Sequence, residues 1–209
     1  MTDQALHEVR HRALKQAWRF TWAHRIHVLL CIPALIGVTV LHEAAHAVAV
    51  LLQGATVTDF SILPSDGLWG YVTWAAPQSG LPHPHLASLA PYIMWTAMAA
   101  TASFAAFIPA RKPFWLASTF FVWFYAVPVL DIANNIASYA LHVSGDLAEA
   151  FSPAPAIRIT IAAIGAVAYG MAGYPVQRRL YDDAIALSPE AYALMCLLSM
   201  LGLALLRLA

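Results

Sequence analysis

Long apolar runs separated by short polar segments organise this chain, and most of its charge sits in the polar segments. The first 25 residues differ from the rest. Arg10, Arg12, Lys15, Arg19 and Arg25 are interleaved there with Trp18, Phe20 and Trp22, which predicts an amphipathic helix over 1–25 lying at an anionic membrane surface. His27 to Gln53 is the first apolar run; at about 1.5 Å per residue it exceeds a hydrocarbon core of roughly 30 Å, so tilt or a kink near Pro33 is expected. Gly54 ends it. In 55–74, ATVTDFSILPSDGLWGYVTW, β-branched and aromatic residues flank the turn signal Pro64-Ser65-Asp66-Gly67, the pattern of a β-hairpin. Further apolar runs follow at Leu86 to Ile108, Phe114 to Val143, Ala156 to Tyr174 and Leu187 to Leu206, with Pro175, Arg178 and Arg179 expected to stop the fourth. The pattern predicts an all-α polytopic membrane protein, with about five transmembrane helices and a short hairpin after the first span, in a single membrane-embedded domain over 26–209.

Composition agrees with that pattern, since 61% of the 209 residues are hydrophobic and 11% charged. The formal net charge is zero, so nothing points to a nucleic-acid partner. No Lys or Arg occurs between Ile26 and Ala110. The positive-inside rule therefore puts the hairpin outside, and the amino terminus, Arg111 with Lys112, and Arg178 with Arg179 on the cytoplasmic side. Cys31 and Cys196 stand far apart in apolar runs and read as small hydrophobes.

Candidate chemistry begins inside the first apolar run, where VTVLHEAAHAVAVLLQ holds His42, Glu43 and His46 as HExxH. On a helix the two imidazoles lie one turn apart on one face and can bind one Zn2+, while Glu43 beside them can act as general base towards water. The competing reading is a helix with two buried, hydrogen-bonded histidines, but three ionisable groups this close together in hydrocarbon are costly without a task. A third ligand must come from elsewhere. Asp131, Asn134, Asn135, Ser138 and His142 form one polar stripe along the third run. Counting along the helices places Asp131 in the same layer as His42 and His46, and Asp146 nearer the outer boundary. Asp131 is thus the expected ligand with Asp146 as the alternative, and Asn134 or Asn135 could hold an oxyanion or bond between helices. His83 and His85 read as loop histidines.

HEAAHAVAVLLQG, the following hairpin ending in GLWGYVTW, and VPVLDIANN together resemble the membrane-embedded site-2 protease group of zinc metallopeptidases. The resemblance implies His42 and His46 as zinc ligands, Glu43 as general base and Asp131 as the aspartate of an LDG motif, although Ile132 stands where that motif has glycine. Ser144-Gly145-Asp146 is similar to the Ser-Asp pattern of small divergent members. The implied activity is zinc-dependent hydrolysis of transmembrane or membrane-adjacent segments, held extended by strand addition to the hairpin. Gating would fall to the hairpin, the loops or a regulatory membrane partner. The alternatives are a non-proteolytic membrane zinc protein, whether a lipid-directed hydrolase or a chaperone-like relative, and a metal carrier.

Overall fold

The computed structural model describes residues 3–62, 70–109, 112–140, 146–151 and 154–208. Helix α1 (Asp3–Ala23) leads through His24 into a short α2 (Arg25–Leu29), and α3 (Cys31–Leu51) follows a break at Leu30. The first apolar run is therefore two helices. Pro33 falls in the first turn of α3, where its missing N–H costs no intrahelical bond. Beyond α3, Gly54 adopts φ +81°, a left-handed conformation that glycine takes without strain, and the chain turns out of the helix. Strands β1 (Thr56–Ser61) and β2 (Tyr71–Ala75) pair antiparallel, Thr56 opposite Ala75 and Ser61 opposite Tyr71, with an irregularity between Val57 and Asp59. The expected turn at Pro64 to Gly67 lies outside the described residues.

Helix α4 (Pro84–Phe107) is the second apolar run. In the third, α5 (Phe114–Phe121), a π-helical turn (Val122–Ala126) and α6 (Val127–Ala140) form one continuous helix of 27 residues. Pro128 explains the wide turn: it has no N–H to return to the previous turn, and the ladder passes that point through the longer bond from Val127 N–H to Val122 O. The end of this run, including His142, lies outside the described residues. Helices α7 (Asp146–Ala150), α8 (Pro155–Leu180) and α9 (Pro189–Leu208) complete the fold.

Pro175 does not stop the fourth run, and α8 continues to Leu180. Burial holds the extra turn in place: Val176, Gln177 and Leu180 are inside, and the Gln177 amide donates to Leu187 O at 3.0 Å and accepts from Leu187 N–H at 2.9 Å. Among the described residues two helices, Phe114–Ala140 and Pro155–Leu180, are long and apolar enough to cross a membrane, and the apolar stretch Ile36–Leu51 is shorter.

The core falls into clusters. One joins α1, α5, α8 and α9 through Phe20, Phe121, Leu180 and Ala191, with Tyr181 and Leu187 of the segment between α8 and α9. A second, with Tyr92, Trp95, Ile132, Tyr139 and Leu147, ties α4, α6 and α7 together. The third packs Val50 of α3 against Ala55 and Ala87. The last two flank the histidines of α3.

Candidate metal centre

Alanine and valine surround the HExxH segment, so α3 can approach its neighbours closely there, and His42, Glu43 and His46 are all buried. His46 donates from Nδ1 to the carbonyl of Ala87, in the first turn of α4, at 2.7 Å. That contact fixes the ring, because a proton on Nδ1 leaves the Nε2 lone pair as the free donor. His42 is held in the same manner: its Nδ1 lies 2.9 Å from Asp131 Oδ2. Its Nε2 faces the other way, 3.0 Å from Asp146 Oδ2. His46 Nε2 lies 3.3 Å from that same oxygen.

The two Nε2 atoms and the Asp146 carboxylate therefore converge, with ligand atoms of all three residues within 4.8 Å of one another, and this cluster can hold a metal ion. Both histidines tie their outer nitrogen to an acceptor, the arrangement that orients metal-ligating imidazoles in general. An imidazole pair and one carboxylate form a donor set suited to zinc with a position left open.

Asp131 does not join this cluster. Its Oδ2 stands behind His42, at the ring nitrogen turned away from Asp146, and is shared with the indole N–H of Trp95 at 2.8 Å. Among the described residues it is therefore Asp146, the alternative ligand, and not Asp131, the expected one, that meets both histidines. Counting along straight helices places Asp146 shallower than it lies. Instead α7 folds in against α4, where the hydroxyl of Tyr92 donates to Asp146 Oδ2 at 2.8 Å and that of Ser88 to Glu149 Oε2 at 3.3 Å.

The remaining candidates fall as follows. Asn135 donates its amide to the Asp131 backbone carbonyl at 3.1 Å, and the Asn134 carbonyl accepts the hydroxyl of Ser138 at 2.9 Å, so both take part in bonding within α6. His83 and His85 are exposed. Glu43 lies under the hairpin, its Cγ 3.2 Å from where a Cβ on Gly70 would stand. Sequence reasoning passed over Tyr92, Trp95 and the Ala87 carbonyl, all on α4. Two aromatics with polar handles three residues apart, in a run otherwise rich in alanine, were the available signal. Comparison with protein-family models, curated proteins and solved structures gives no match for this chain.

Proposed function

We propose that this chain is a membrane-embedded zinc metallopeptidase that cleaves transmembrane or membrane-adjacent segments. The observation that carries the reading is the convergence of two imidazole Nε2 atoms, one helical turn apart, on Asp146, with an acidic residue directly following the first histidine. His42, His46 and Asp146 would hold the ion. When bound, zinc would supply Lewis acidity at a scissile carbonyl and a lowered pKa for the attacking water. Glu43 takes the proton of that water and returns it to the leaving amine. Asp131 and Trp95 keep the His42 ring in orientation, the Ala87 carbonyl does the same for His46, and Tyr92 steadies Asp146.

Lipid as the surrounding solvent is supported by the apolar residues left exposed, among them Ile157, Ile159, Ile164, Val167 and Met171 on α8 and Phe104 and Phe107 on α4. We read α3, α4, α5–α6, α8 and α9 as the five spans, with the amino terminus cytoplasmic and the metal centre nearer the outer side. A helical substrate would have to unwind, because its carbonyls are shielded by their own hydrogen bonds. The two-stranded hairpin offers an edge on which an extended segment can pair.

Elemental analysis of the detergent-purified protein, read beside hydrolysis of casein and of quenched-fluorescence peptides, tests this reading. About one zinc per chain is expected in the parent and in Glu43→Gln, with hydrolysis lost in the variant. A folded parent that takes up no zinc would overturn the proposal. Zinc without hydrolysis, in the parent as in the variant, would instead favour a non-proteolytic zinc protein.

A further inference from the structure

Gly70, the residue just before β2, lies on the face of α3 that carries Thr39 and Glu43. These two side chains are one turn apart on the helix, so they form a continuous ridge. A Cβ on Gly70 would overlap Thr39 Cγ2, and it would stand 3.2 Å from both Glu43 Cγ and the carbonyl oxygen of Ser61. The glycine therefore has the backbone of β1 at Ser61 on one side and the ridge of α3 on the other. Gly70 has no positive φ among the described glycines, so the need for glycine here comes from space and not from backbone strain.

We infer that Gly70 is a positioning residue for the general base: the hairpin backbone, seated on Thr39, walls the Glu43 side chain and fixes the direction of its carboxylate. This rests on the peptidase reading for its chemistry but on packing alone for its geometry. The hairpin then has a second task beside offering a strand edge, because a shift of the hairpin is a shift of the wall beside Glu43. A bulkier residue at 70 must push Thr39 and Glu43 aside. Displacement of a reacting group by about 1 Å can cost about a hundredfold in rate, and the few tenths of an ångström that Glu43 must give here cost correspondingly less.

The test compares Gly70→Ala with Gly70→Ala/Thr39→Ser. Serine keeps the hydroxyl of Thr39 and removes the methyl that the new Cβ would strike. Three quantities are measured in detergent: zinc per chain, Tm of the zinc-free protein, and kcat and KM on a cleaved peptide. Gly70→Ala is expected to keep about one zinc per chain, to lower kcat by about tenfold with KM near the parental value, and to lower Tm. Adding Thr39→Ser is expected to recover most of both losses. Parental kcat in Gly70→Ala, loss of its zinc, or failure of the serine to restore kcat would each overturn the inference. A parent that hydrolyses nothing would overturn the peptidase reading instead, while recovery of Tm in the double variant would still establish the seating of Gly70 on Thr39.

Discussion

His42 uses both of its ring nitrogens, and the two partners have different tasks. Asp146 stands at Nε2 and belongs to the cluster; Asp131 stands at Nδ1 and is itself held by Trp95, whose side chain is almost wholly buried. Removing a ligand and removing its support should differ in size. Asp146→Ala is expected to abolish stoichiometric zinc binding, whereas Trp95→Phe keeps the ring volume, leaves Asp131 with one donor fewer, and should weaken zinc about 10- to 100-fold. Competition titration against a chelator measures both, and a Trp95→Phe protein that binds as tightly as the parent would refute the role given to the indole. The HExxH triplet was legible because its chemistry needs only i, i+4 spacing on one helix. The meeting of Asp146 with both histidines was not, because counting along straight helices cannot register α7 folding inward onto Ser88 and Tyr92. Nor could Tyr92 and Trp95 be told from packing aromatics, since only their hydrogen-bond partners distinguish them.

Among the elements, α1 is fastened most specifically at its end. His24, buried at the exit of α1, has Nδ1 2.8 Å from the Phe20 carbonyl and Nε2 2.7 Å from the Tyr181 hydroxyl, so it joins α1 to the segment after α8. Burial holds its imidazole below the ordinary value; the Phe20 carbonyl pulls upward, and the nearby His27 adds to the depression. A histidine depressed in the folded state takes up its proton first in the unfolded chain. Stability is therefore unaffected at high pH and falls as pH drops below about 6.5, towards the lower folded value. Thermal unfolding between pH 8 and pH 5 should show that fall, reduced in His24→Asn; an equal fall in the variant would assign it to other groups. The apolar pattern marks the long helices α3, α4, α5–α6, α8 and α9, and β-branched residues mark the two strands, but α7 falls in a segment that reads as a polar loop and the break before α3 has no signal in the pattern. What it missed were consequences of particular contacts: the Gln177 amide that carries α8 past Pro175, and the wide turn that admits Pro128.

At the scale of the molecule, ends of helices can be sorted without reference to a membrane. Arg179 in the last turn of α8 lies over the ring of Phe107, the last residue of α4, with 3.8 Å between the guanidinium carbon and the ring centroid. Gln177 binds Leu187 just before α9, so the ends of α4 and α8 and the start of α9 share one pole. His46 meets Ala87 at the start of α4, which puts the metal centre towards the opposite pole. Helix α8, 26 residues and so about 39 Å long, exceeds a hydrocarbon core of roughly 30 Å and should leave its last turns, with Arg178 and Arg179, outside the lipid. There α1 finds its place, running antiparallel to α9 with Gln16 accepting from Ser188 N–H while His11, Arg12 and Lys15 remain exposed. If α4 and α8 cross a bilayer, the exposed residues Ser79 and Ala184 lie on opposite sides of it, and exposed Ile164, midway along α8, faces lipid. Single cysteines at these positions, with Cys31 and Cys196 replaced by alanine, should behave accordingly in intact cells. A membrane-impermeant maleimide is expected to label Ser79→Cys directly, Ala184→Cys only after permeabilisation, and Ile164→Cys in neither case. Equal labelling of positions 79 and 184 from one side would mean that these helices do not cross, and the exposed apolar face of α8 would then require a protein partner in place of lipid.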